Sequence, residues 1–391
     1  SPHLYALAQS ARTNLTNTGK NQSVLVSGES GSGKTEATKI ILEYLSFNHC
    51  NWFVCHSSMD LGVAQQILEA NPLIEAFGNA RTVRNDNSSR FGKWIEIHFD
   101  SQHRITGGLI SHYLLEKSRV VNQALGERNY HIFYQVCSPL SAPRGQPAVV
   151  DVGANGECAL RIMIDGRPTC QAPQKEVNKL GGRMMSIDGV SDETQLQRTF
   201  FALNCLNFSA EDVDVLMSIV VAILQLGQIA IIPKGKNNEE SQVDLKDVAL
   251  NQTARLLGVE VAALEGCICT WIKAFSKRSL IRVPFNVGQA VSGRDALAKH
   301  LYSNMFDWMI SKGMAMLLNQ CLQTNKYVFG VIGVLDIFGF EIFEVNRLEQ
   351  FLINFANEKL QRHFNHCVFE LEQEEYKAEE LDVRYVAFSD N

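Results

Sequence analysis

The residues whose types and spacing could do chemistry begin at Gly28. Gly28-Glu29-Ser30-Gly31-Ser32-Gly33-Lys34-Thr35 is a run of small residues closed by a lysine and a hydroxyl. Such a loop lets successive backbone N–H groups wrap a phosphate, and the helix that follows turns its positive end toward the same anion. Lys34 has the reach for the outer phosphates, and Thr35 offers a hydroxyl to Mg²⁺. Alone, the loop specifies a nucleoside triphosphate and nothing finer. Guanine is normally read by Asn-Lys-x-Asp, and the nearest run, Asn178-Lys179-Leu180-Gly181, lacks the aspartate, so ATP is favoured over GTP. Asp336 closes an apolar run where an acidic side chain would hold Mg²⁺ through water. Taken alone, it is as readily a polar strand terminus.

These residues need elements to hold them. Ser23–Val26 reads as a short apolar strand entering the glycine loop, and Ile40, Ile41, Tyr44 and Leu45 recur at helical spacing after it. Trp94–Phe99 reads as a second strand, and the nearly continuous apolar run Tyr327–Leu335 as a third, buried on both faces. Strands alternating with helices predict an α/β fold with a largely parallel central sheet and a ligand off the carboxyl ends of its strands. From Glu344 to Tyr376 there is no Gly or Pro, and Leu348, Phe351, Leu352, Phe355, Leu360, Phe364, Val368 and Leu371 keep one apolar face. That predicts one helix of roughly 50 Å. His363, His366 and Cys367 lie on it, with no further ligand cluster to make a metal site. Ser138–Gly182, with scattered Pro, Gly and Cys, reads as a long loop or insertion.

Composition sets the limits. With 391 residues, 46% apolar, the chain can bury a large core as one α/β domain or a few tightly joined subdomains. A net charge of -6 gives no overall basic field, which sets aside nucleic acid and anionic membrane surfaces as main partners. Val213–Ile232 is about as long as a bilayer span, but Asp214, Ser218, Gln225, Gly227 and Gln228 interrupt it. It reads instead as a buried helix that turns at Gly227 into a short strand. Ten cysteines without zinc-type spacing, and no secretory signal, predict reduced thiols in a cytoplasmic protein.

Two further segments carry a resemblance. Asn85-Asp86-Asn87-Ser88-Ser89-Arg90-Phe91-Gly92-Lys93 is similar to switch I of the myosin motor (head) domain, and Asp336-Ile337-Phe338-Gly339-Phe340-Glu341 to its switch II. The glycine loop has the myosin form through Glu36. Leu114–Arg119, Glu127–Tyr134, Ile187–Val190 and Arg294–Lys299 follow in the family's order. The resemblance implies a P-loop ATPase acting on actin filaments, with a mostly helical actin-binding subdomain, in the cytoplasm on the cytoskeleton. It implies that Asn85 touches the nucleotide and that Ser89 completes the Mg²⁺ shell with Thr35. It places Lys34, Ser88 and the Gly339 N–H toward the γ-phosphate and attacking water, and pairs Arg90 with Glu341 to close the two switches. The long helix resembles the relay helix.

By family pattern the chain divides into a nucleotide core at 1–135, the divergent stretch 136–185, a helical upper subdomain at 186–326 with an actin-contacting loop near 270–285, and a switch II strand with relay helix at 327–391. It is expected to be cut short at both ends, so that a lever arm with light chains or calmodulin falls outside it. In the loop near 270–285, the position sixteen residues before Asp295, where the family carries an acidic or phosphorylatable residue, is Ser279, directly after Lys277 and Arg278. Its phosphorylation is expected to strengthen actin coupling. Two alternatives stay open: an actin-binding module that holds ATP but barely hydrolyses it, and a P-loop ATPase unrelated to actin.

Overall fold

A computed structural model describes residues 3–47, 63–124, 126–137, 163–164, 167–168, 186–187, 189–235, 239–276, 279–323, 328–342, 346 and 348–381. The chain forms two compact units, neither continuous in sequence: residues 1–60, 88–114 and 324–391 make the first, and residues 61–87 and 115–323 the second. In chain order the main helices are α1 (Leu4–Thr18), α2 (Lys34–Phe47), α3 (Val63–Gly78), α4 (His131–Val136), α5 (Asp192–Cys205), α6 (Ala210–Gln228), α7 (Val248–Leu257), α8 (Val261–Cys269), α9 (Val287–Gln323), α10 (Leu348–Asn365) and α11 (Leu371–Ala378). The main strands are β1 (Gln22–Val26), β2 (Gly92–Phe99), β3 (Ile105–Tyr113), β4 (Ile231–Lys234), β5 (Glu240–Val243), β6 (Thr270–Ser276), β7 (Ser279–Pro284) and β8 (Gly330–Asp336).

The first unit is built on a sheet of order β1-β8-β2-β3. β1 and β8 run parallel, with Val26 opposite Asp336, so the strand that feeds the glycine loop and the strand that ends in the aspartate finish side by side. The other two pairings, β8 with β2 and β2 with β3, are antiparallel. The expectation of a largely parallel sheet is therefore corrected: among the described residues the sheet is only partly parallel. β2 and β3 are joined by a turn in which Asp100 caps its own neighbours, its Oδ1 accepting from the N–H groups of Gln102 and Arg104 at 2.9 Å each. A connection that short can only return the chain antiparallel. β2 alternates as a strand should, with Ile95, Ile97 and Phe99 buried and Trp94, Glu96 and His98 half-buried on the other face.

Among the described residues α10 runs from Leu348 through a π-turn at His366–Glu370 into α11, so the rod is not uniform α-helix, and its expected start at Glu344 lies outside the described residues. Leu348–Ala378 at 1.5 Å per residue is about 46 Å long. Its apolar face is not its buried face. Leu348, Phe351 and Phe355 are 71%, 63% and 51% exposed, while Gln350, Ile353 and Asn357 are buried.

The second unit is mainly helical. α6 opens with a capping box between Ser209 and Asp212 and buries Leu216, Val220 and Ile223. It continues past Gly227 to Gln228 before β4 begins, so the expected turn comes slightly later. Among the described residues no helix is long and apolar enough to cross a membrane. Tyr302 on α9 is fully buried, stacks on Tyr130 at 5.0 Å and donates to the Phe77 carbonyl at 2.6 Å, joining α9 to the end of α3. The stretch near 270–285, expected as a loop, is an antiparallel hairpin of β6 and β7 with Trp271, Ile272 and Ile281 exposed. Of Ser138–Gly182, only a two-residue pairing of 163–164 with 167–168 lies within the described residues.

Candidate functional site

The glycine loop sits between β1 and α2, and its backbone explains its glycines. Gly28, Gly31 and Gly33 have φ of 147°, 84° and 86°, a region that side chains with a Cβ rarely enter. Lys34 is the first residue of α2 and turns back over the loop, donating to the carbonyls of Gly28 at 2.9 Å and Glu29 at 2.6 Å. Burial pushes its ammonium pKa down, while the charges of Asp336, Glu341 and Glu29 oppose that shift. Glu36 points elsewhere, pairing with Lys39 one turn along the helix.

Ser88, Ser89 and Arg90 approach the same loop from the start of β2. The Ser30 and Ser88 hydroxyls are 3.5 Å apart, and the Thr35 and Ser89 hydroxyls 3.4 Å. Arg90 and Glu341, each 1% exposed, form a buried pair in which one guanidinium nitrogen donates to both carboxylate oxygens, at 2.8 and 3.0 Å. Ser88 lies between them, donating to Glu341 at 3.3 Å and accepting from Arg90 at 3.0 Å. Gly339 packs directly on the loop. A Cβ there would lie 2.6 Å from the Glu29 carbonyl carbon and 2.7 Å from Lys34 Nζ, and closer still to Ser30 N. Only glycine permits that approach, and the backbone bridge between Glu29 and Phe340 secures it.

Asp336 is 2% exposed, and neither carboxylate oxygen accepts a well-aimed hydrogen bond; its counter-charge is the buried Lys93, at 3.1 Å. A buried carboxylate with lone pairs to spare is a ligand suited to a hard cation. No group of three or more His, Cys, Asp or Glu side chains among the described residues could hold a metal ion, so an ion here would depend on Thr35, Ser89 and Asp336 together with its substrate.

One family model, that of the myosin head or motor domain, matches residues 1–391. The chain belongs to the myosin head family. Over its whole length it is 40% identical to Myosin-7 of Arabidopsis thaliana, 39% to unconventional myosin-Vb of Rattus norvegicus and 40% to Protein OPAQUE1 of Zea mays. It spans 21%, 19% and 24% of those proteins.

Within this myosin head the first unit brings together Gly28 to Thr35, Ser88, Ser89, Arg90, Asp336, Gly339 and Glu341. Asn85 belongs to the second unit, where its side-chain oxygen accepts from the Asn87 N–H at 2.9 Å. Ser279 stands at the tip of the β6–β7 hairpin, opposite Ser276, also in the second unit. Sequence reasoning missed three residues. Lys93 ends the switch-like segment and faces Asp336 across the β2–β8 pairing. Asn354, on α10, grips the backbone of Glu341 from both sides, donating to its carbonyl at 2.7 Å and accepting from its N–H at 3.1 Å, with Gln350 adding a bond at 3.4 Å. The available signal was two amides, four residues apart, on the side of the helix away from its apolar stripe.

Proposed function

We propose that this chain is the nucleotide-hydrolysing part of an actin-based motor, binding MgATP on the Gly28–Glu36 loop and hydrolysing it when Ser88–Arg90 and Asp336–Glu341 close over the outer phosphate. The buried Arg90–Glu341 pair, with Ser88 held between, carries this reading. A pair so fully desolvated is weak evidence for stability, because burying two charges costs about as much as their attraction returns. As a latch that assembles a reactive pocket, it has a clear purpose. The Ser88 hydroxyl and Gly339 N–H orient the attacking water, while Lys34 exchanges its loop carbonyls for phosphate oxygens. Thr35 and Ser89 would hold Mg²⁺, with Asp336 through water, and the ion would supply positive charge where the phosphate oxygens accumulate negative charge. Asn85 takes the nucleotide side of the same segment. Asn354 and Gln350 tie Glu341 to α10, so movement of Glu341 is passed to the rod.

Lys34→Ala should lower MgATP turnover by about 100-fold or more in steady-state assays; an unchanged rate sinks the assignment of the loop. Actin is the partner that family membership suggests, with the β6–β7 hairpin as a contact. Salt-sensitive cosedimentation of the full-length protein with filaments, released by ATP, tests this, and failure to sediment at low salt refutes it. In the same protein, Ser279→Glu should raise actin-activated turnover above Ser279→Ala with equal rates in the absence of actin. Equal activation leaves Ser279 without a regulatory role.

A further inference from the structure

Asn87 is the last residue of the second unit before the chain crosses to Ser88 in the first. Every polar atom of its side chain is engaged. Its Oδ1 accepts from Asn79 Nδ2 at 3.0 Å and lies 3.2 Å from His131 Nε2, and its Nδ2 donates to Glu75 Oε2 at 3.1 Å. These partners come from two separate places, α3 with the residue that follows it and the first turn of α4. Because Asn87 Oδ1 carries no proton, the imidazole must be the donor, which fixes the Nε2–H tautomer. Burial, with the charges of Arg128 and Arg119, drives the His131 pKa down to about 3, so the ring is neutral and this tautomer persists at ordinary pH. Its Nδ1 is buried without a hydrogen-bond partner, so the Asn87 bond is the ring's one polar contact among the described residues. Such an orphan costs free energy. A phenylalanine-like packing role would not require it.

We propose that His131, with Asn79 and Glu75, anchors Asn87 as the root of switch I, fixing the conformation in which the chain enters Ser88, Ser89 and Arg90. His131 and Asn87 are thus positioning residues for the hydrolysis proposed above, on which this assignment rests. The physical reason is reach. Ser88 follows Asn87 directly and Arg90 is three residues on, so play at the root passes almost undiminished to the groups that must be held to within a fraction of an ångström.

The test uses the full-length protein with His131→Ala, Asn87→Ala and His131→Gln, the last because a glutamine amide can donate from nearly the position of Nε2. His131→Ala and Asn87→Ala should lower basal kcat by about ten-fold while KM for MgATP moves far less, since closure fails and the loop still binds. His131→Gln should recover most of the rate. Independently of activity, amide exchange at Ser88–Arg90 in nucleotide-free protein should speed up by about ten-fold in both alanine variants and return toward wild type in His131→Gln. If His131→Ala does not fold, the less buried Asn87→Ala carries the same test. Wild-type kcat and unchanged exchange in Asn87→Ala overturn the anchor, as does a His131→Gln no better than His131→Ala. A wild-type protein that turns over no MgATP overturns the hydrolysis reading, and unchanged exchange in the variants then separately overturns the anchor.

Discussion

At the scale of single residues, the decisive contact is between two charges far apart in the chain. Arg90 and Glu341 are 251 positions apart, and both are almost wholly removed from water. Removing either partner alone strands the other as a buried charge, which costs about 3–5 kcal/mol. Arg90→Ala and Glu341→Ala should therefore each abolish hydrolysis and also lower the unfolding midpoint, while MgATP still binds the glycine loop. The single reversals Arg90→Glu and Glu341→Arg should show the same two losses, and the charge exchange that combines them should recover part of both. Unfolding curves and single-turnover phosphate release measure the two effects separately, and an exchange variant no better than either reversal alone removes direct pairing as the cause. The pair was expected from the family resemblance, not from anything local to either residue. Lys93, next to the same cluster, had no such precedent and emerges only from its register opposite Asp336.

At the scale of elements, β8 decides whether Asp336 and Gly339 arrive where they do. Its path depends on Gly333, which lies beneath the Trp94 ring: a Cβ there would fall 2.9 Å from Trp94 Cε2 and closer still to other ring atoms. The indole is not free to leave, because its N–H donates to Glu96 at 2.8 Å. Gly333→Ala should therefore overpack the β2–β8 pairing and cost about 1–3 kcal/mol. Trp94→Ala opens space above the strand, so the double variant should be less destabilised than the two single losses summed. Chemical denaturation of the four proteins tests this, and strict additivity would mean that the ring and the glycine do not oppose each other. The rod of α10 and α11 is the element whose periodicity left its inward face undecided. Leu348, Phe351 and Phe355 recur as a buried stripe would, yet they face solvent, and the amides of Gln350 and Asn354 face inward to hold Glu341. A 3.6-residue pattern shows that one face is apolar; which face meets the rest of the unit depends on where the backbone of Glu341 needs donors and acceptors.

At the scale of the whole molecule, the buried polar network of the second unit makes stability depend on pH. His131 has a folded pKa of about 3 against 6.5 for the free side chain. Below pH 6.5 the unfolded chain takes up a proton that the folded chain refuses, so stability falls as pH falls through 6.5 and continues to fall toward 3. The slope contributed is at most one proton, about 1.4 kcal/mol per pH unit. Asp192, whose carboxyl pKa is raised by burial against the opposing effect of Arg128, contributes with the opposite sign. Comparing wild type with His131→Gln leaves the Asp192 contribution in both. The expected outcome is a shallower acid loss in the glutamine variant between pH 6 and about 4, read from unfolding free energies at each pH. Parallel curves would mean that the imidazole titrates normally.

The sequence by itself determined the parts whose chemistry is local: a phosphate loop whose three glycines are required by their own φ angles, a lysine and a threonine at fixed offsets from it, an aspartate at a strand end, and a helix long enough to act as a rod. These depend on spacing within a few residues, and spacing is what a sequence displays. Tertiary structure alone decided that β8 pairs parallel with β1 and antiparallel with β2, because an apolar run buries equally well beside either kind of neighbour. It also decided which face of the rod turns inward, that Lys93 is the counter-charge of Asp336, and that Asn87 is held by His131, Asn79 and Glu75. Each of these depends on which groups of other segments come within about 3 Å of one another, the range at which hydrogen bonds and ion pairs act. No periodicity along one segment encodes that distance.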